Sequence, residues 1–405
     1  MALRFIGKVN KTIQVDTVQV TAYHAATTYT LTCGGKTVSV IAQGTVNATA
    51  SALSTAWNAS TEPEMVEITA SVGTDTVTLT ADTAGKPFTV TSSVSGGTGT
   101  IGSVTASTAN SSPEDFNTAG NYSTGALPTG SDDLIFDAGA SNGAKWRLGS
   151  LSAVTLTSLT FLSNFEYDAG LPELNTDGDQ YPEYRPTYIA IGATTVNIGD
   201  RSGLGQGSGR IKLNNGSIQA ALNVYSTGSP ADTLLPAFIW KGTHASNVLN
   251  LEEGSIGVAL FGAETATIAT IRQAGGSLVC GSGTTLTTIT QSGGSLDTAS
   301  AIITKTHRGG THTHRSGALT TLTITNGTVD YRSDGTITTL TVSDGGVFDA
   351  GGDPRALTIT NCTLNPGATL SDPFGRITFT NPISVPGGLG SVTIIRGGST
   401  NLQFS

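Results

Sequence analysis

The sequence predicts a mainly β fold: a small N-terminal α+β domain followed by a single-chain parallel β-helix, a β-solenoid with coils of about 16–22 residues. Three observations carry this. The chain is rich in Thr, Val, Ile and Leu in short runs broken by Gly, Asn and Asp, with 52 glycines in 405 residues, which is the composition of strands and turns. Only one stretch has helical spacing. From residue 274 onward the sequence repeats itself with a period near 18.

The first domain spans 1–110 in this reading. Residues 28–41, "TYTLTCGGKTVSVI", alternate apolar and polar about Gly34-Gly35 and predict a hairpin. Residues 47–59 predict a helix with Asn47 as its cap, because Leu53, Ala56 and Trp57 fall on one face. "VEITASVGTDTVTLTAD" predicts a second hairpin, and "TAGKPFTVTSS" a further strand. The Gly/Ser/Thr-rich residues 93–112 read as a linker or an edge segment.

The solenoid is assigned to 111–396, with 397–405 as a C-terminal tail or cap. Its rows include "GGSLVCGSGTTLTTITQ", "GGSLDTASAIITKTH", "GGTHTHRSGALTTLTITN" and "GTVDYRSDGTITTLTVSD". Each opens at glycine, runs a strand, turns, and runs a second strand. The first apolar slots are Leu278, Leu296, His312, Val329, Phe348 and Leu364. In the second strand Ile289, Leu322, Leu340 and Leu357 form one inward column, and Ile324, Val342 and Ile359 the next. Threonines between them suit an exposed pleated face. The strict hexapeptide pattern of left-handed helices is absent, which favours a right-handed winding.

Charge and cysteine narrow the function. The 20 Lys and Arg against 29 Asp and Glu do not supply the basic footprint of a nucleic-acid binder. Cys33, Cys280 and Cys362 are scattered and form no disulfide framework or metal pair. No apolar run reaches the roughly 18 residues of a membrane span. "MALRFIGKVNK" shows no apolar core of a signal peptide, so the expected site of synthesis and assembly is the cytoplasm.

Two stretches carry a family resemblance. The β-β-α-β-β pattern over roughly 25–95 resembles small domains in structural proteins of tailed phages and prophages. "SPEDFNTAGNYSTGALPTGSDDLIFD" at 112–137 resembles the entry segment of bacterial and phage β-helix proteins, although Phe116 and Tyr122 stand where tryptophan is more usual. The resemblance implies a non-enzymatic structural protein on the virion surface, first of all a capsid-decorating or head-fibre protein. It implies a homotrimer, with the major capsid protein or other virion proteins as partners. The alternative is a tail fibre or tailspike that binds, and in some cases cleaves, host surface glycan. A bacterial surface adhesin is the third reading, and the missing signal peptide counts against it.

Four groups of residues are candidates for chemistry. His312 and His314, in "HRGGTHTHR", lie on one face of a strand. Around a trimer axis they would resemble the iron-binding His-x-His motifs of phage fibre tips, and imidazole suits Fe, Zn and Ni. The same row alternatively forms a polar core coil with imidazoles bonded to threonine and backbone. A third possibility is a water-facing loop in which Lys305, His307, Arg308 and Arg315 meet an anion or an acidic partner. Asp330 and Asp349 lie on successive coils about 5 Å apart, near the spacing of a retaining glycosidase pair. Asn175, Asp177 and Asp179 mimic the start of a calcium loop, without its distal ligands. No other cofactor is expected.

Overall fold

The computed structural model describes residues 2–175, 181–201, 207, 209–398 and 402–404. Among them, the chain builds two long, wholly parallel sheets of 13 and 11 strands. Beyond the entry strands, successive strands alternate between the sheets. Ser277–Cys280 lies in the smaller sheet, Thr284–Gln291 in the larger, Ser295–Thr298 in the smaller again, and so on to Thr393–Arg396. Strand and turn therefore repeat as a solenoid-like stack, and one apolar core runs the length of it between the sheets.

The turns explain the glycine at the head of each row. Gly276, Gly294, Gly310 and Gly327 all have φ between 67° and 82°, in the left-handed region. At Gly310 a Cβ would stand 2.2 Å from the Gly294 carbonyl oxygen one coil below. That carbonyl instead accepts the Thr311 N–H at 3.0 Å, and the pattern repeats from Gly310 to Thr328.

Register fixes the inward columns. Ile256, Leu278, Leu296, His312, Val329, Phe348 and Leu370 are successive partners in the smaller sheet. The last member is Leu370, not Leu364 as the repeat suggested. In the larger sheet one column runs Ile289, Lys305, Leu322, Leu340, Cys362, and another runs Gln291, His307, Ile324, Val342, Leu364. Leu357 and Ile359 therefore leave the columns given them above. The strand Leu357–Leu364 is eight residues long and absorbs an extra half-row, so Ile359 pairs with Ile337 and Leu357 with Ile377.

Residues Val15–Thr108 form antiparallel strands around the helix Val46–Asn58, with a separate apolar cluster of Tyr29, Leu31, Leu53, Trp57, Val77 and Leu79 among others. The helix is capped by Thr45, whose Oγ1 accepts the Ala48 N–H at 3.1 Å, rather than by Asn47. Of the two readings of residues 93–112, the structure shows the edge segment: Val90–Gly96 pairs with Thr27–Cys33, and Thr100–Ile101 and Thr105–Thr108 pair with Val15–Ala22. Leu3–Phe5 pairs in parallel with Asp133–Phe136 as the first strand of the larger sheet. The antiparallel segment is thus inserted after the solenoid-like stack has begun. Phe5, Phe116, Tyr122 and Phe136 pack together at that end.

A clamp joins the two parts. Glu67, from the antiparallel segment, accepts Lys86 Nζ at 2.5 Å and Tyr184 Oη at 3.0 Å, and also binds Tyr181 and Arg185. Arg185 lies 5.5 Å from the ring centre of Trp146. At the far end Ile383 bridges Phe404, and Leu402 packs on the core.

Candidate functional site

The histidine row faces inward. His307, His312, His314 and Lys305 are all fully buried between the two sheets, with Gln291, Thr298 and Cys280 beside them. They form a polar layer in a core that is apolar over most of its length. Its existence follows from register: His312 occupies the slot of Leu296 and Val329, and Lys305 the slot of Ile289 and Leu322.

Hydrogen bonding fixes the protons in this layer. His314 Nε2 lies 2.9 Å from the Gly317 carbonyl oxygen, so Nε2 carries hydrogen and Nδ1 is an acceptor. Thr298 Oγ1 is 2.9 Å from that Nδ1 and 2.9 Å from His312 Nε2. The hydroxyl has one proton and donates it to His314, so His312 Nε2–H donates to the hydroxyl. His312 Nδ1 is left as a buried acceptor without a partner. On the opposite sheet Gln291 Nε2 donates to the Thr311 and Gly294 carbonyls at 2.9 and 3.2 Å, which orients the carboxamide. Its Oε1 then accepts Lys305 Nζ at 2.7 Å and His307 Nδ1–H at 3.0 Å.

Burial sets the charge state. Desolvation pushes the His307 and His314 imidazoles down to about 4, and those of His312 and the Lys305 amine well below their ordinary values. Burial therefore biases all four bases toward their neutral forms.

These findings correct two of the sequence expectations. His312 and His314 point into the core of their own chain, not toward an axis between chains, and three of their four ring nitrogens are already engaged. No group of three or more metal-ligating side chains occurs among the described residues. Lys305 and His307 are buried rather than on a water-facing loop. Arg315 is exposed but committed to Asp297, with Nε–Oδ distances of 2.7 and 2.8 Å. Arg308 is exposed and lines an open groove.

The aspartates sit where the repeat put them. Asp297, Thr313, Asp330, Asp349 and Ser371 form one outward column, and Asp330 and Asp349 are register partners. Asp330 Oδ2 accepts Arg332 Nε at 2.7 Å, while Asp349 Oδ1 accepts the Gly351 N–H at 2.9 Å. Tyr331 faces the core, stacked on His314, so no aromatic ring from this strand borders the pair. Asn175 is buried and spends its amide on Tyr181 and Glu183, at 2.9 and 3.1 Å. Asp177 and Asp179 lie outside the described residues.

One surface was not anticipated. On the outer face of the larger sheet, Asn197, Asn223 and Asn250 form a ladder: Asn223 Nδ2 donates to Asn197 Oδ1 at 3.1 Å, and Asn250 Nδ2 to Asn223 Oδ1 at 2.9 Å. Arg272 donates to the last carbonyl oxygen at 3.3 Å. Arg201 covers the Tyr225 ring at 4.6 Å and pairs with Glu252. With Arg308, and apart from Asn197, these residues line an open groove of about 610 Å³. The sequence signal was there: "VNI", "LNV" and "LNL" recur at steps of 26 and 27 residues. Further along, the same face becomes two threonine columns, Thr288–Thr304–Thr321–Thr339 and Thr290–Thr306–Thr323–Thr341.

No protein-family model, curated protein or solved structure matches this chain. The functional reading therefore rests on the residues themselves.

Proposed function

We propose that this chain is a non-enzymatic structural protein of a tailed-phage particle, one that decorates the capsid or forms a head fibre. The antiparallel segment acts as an α+β docking domain, and the solenoid is wound right-handed and assembles as a homotrimer. The observation that carries the reading is the Glu67 clamp together with the Leu3–Phe5 strand. They hold the inserted segment rigidly beside one end of a long stack, and the flat threonine face is left to meet a neighbour. A rigid rod with one built-up end suits attachment to a shell. The test is gradient sedimentation of particles followed by quantitative mass spectrometry. The chain should co-sediment in a fixed ratio to the major capsid protein. Recovery only in the soluble fraction would refute the reading.

The groove favours a second reading, a tail fibre or tailspike that binds host surface glycan. Arg272 and Arg308 present forked donors suited to carboxylate or sulfate, and the asparagine ladder presents amides to hydroxyls. Glycan-array binding that disappears in an Arg272→Ala, Arg308→Ala variant would support it; equal binding would remove the groove from consideration.

A further inference from the structure

We propose that Lys305 and Gln291 join in an intramolecular isopeptide bond, a covalent staple between two successive coils of the solenoid-like stack.

Position comes first. Lys305 stands in a column between Ile289 and Leu322, where a protonated ammonium would be held by one carboxamide oxygen alone. A buried cation without a carboxylate is costly, and desolvation accordingly pushes the amine well below its ordinary value, toward the unprotonated form. An unprotonated amine is a nucleophile.

The electrophile is adjacent. Lys305 Nζ lies 2.7 Å from Gln291 Oε1, and a carbonyl bond of about 1.23 Å puts Nζ no further than about 3.9 Å from Cδ. That approaches the separation of about 3–3.5 Å at which reacting atoms are poised. The carboxamide is held in place by two backbone carbonyls on its Nε2 side. His307 Nδ1–H, 3.0 Å from Oε1, is the donor that stabilises the oxyanion as the carbonyl carbon becomes tetrahedral. Both sheets exclude water, which would otherwise compete as nucleophile.

The reaction balances without an oxidant or co-reactant. Lys305 Nζ attacks Cδ and the Nζ–Cδ bond forms. One amine proton passes to Nε2, the Cδ–Nε2 bond breaks, and ammonia leaves. The product is a secondary amide that cannot be protonated at neutral pH, so the buried base is removed permanently. The inference does not depend on where the protein resides in a particle.

Intact-mass measurement of the full chain tests it. The wild type should weigh less than its sequence by one ammonia. After denaturation and exhaustive trypsin digestion, Gln273–Arg308 should survive as one segment lacking ammonia, because the modified Lys305 is no longer a cleavage site. Gln291→Leu, which continues an aliphatic column, should restore both the full mass and cleavage after Lys305. Lys305→Leu should also restore the mass expected for its sequence. Full mass in the wild type with cleavage after Lys305 would overturn the proposal. So would an ammonia deficit that persists in Gln291→Leu, since it would then arise elsewhere, for example at Asn215-Gly216.

Discussion

The imidazole of His314 lies against the ring of Tyr331, one coil above, with centroids 4.9 Å apart and planes 26° from parallel. The contact shows what the histidine row is for in the fold. A polar ring standing between Thr298 and Tyr331 keeps its packing with the next coil and spends its nitrogens on Thr298 and the Gly317 carbonyl.

Acidification should loosen this layer. His307 and His314 are held down to about 4, chiefly by burial, against 6.5 for the free side chain. Between those values the unfolded chain binds protons that the native chain excludes. Their stabilising contribution is therefore complete above about pH 6.5 and is lost as pH falls toward 4. For His314 the loss approaches about 3 kcal/mol. Urea midpoints taken from pH 7 to pH 4.5 should fall steadily, and His314→Leu should flatten the slope.

His312→Leu should stabilise the protein by about 1 kcal/mol, because it removes a buried acceptor with no partner and restores the aliphatic column. The readout is the denaturation midpoint. A metal held through Nδ1 would give the opposite sign and a drop in bound metal.

Phe348 lies in the same column and is fully buried between Val329 and Leu370. Phe348→Ala should cost about 3–5 kcal/mol, measured by chemical denaturation.

Glu67→Ala should release the clamp between the antiparallel segment and the stack, removing the carboxylate that Arg185 and Lys86 share. A loss of about 3 kcal/mol is expected. Limited proteolysis should then cut first near residues 109–112, where the segment rejoins the stack.

Much of the fold was legible because glycine marks each turn and the inward slots repeat. The column from Leu278 to Phe348 could be read directly from the rows. It failed at Leu364 because the strand Leu357–Leu364 is longer than its predecessors, and the period alone does not reveal an added half-row. Lys305 is the more instructive miss. Its charge argued for the surface, whereas its register argued for the core, and register prevailed because Gln291 one coil below supplies an acceptor. The groove escaped because its residues come from coils spaced about 26 residues apart, wider than the period used to find the repeat.

The most direct measurement for the proposed role is immunogold labelling of intact particles with antibody against this chain. Labels should lie over the heads, at regular intervals on the shell. Labels confined to the tails, or particles that stay bare while the free protein is labelled, would contradict it.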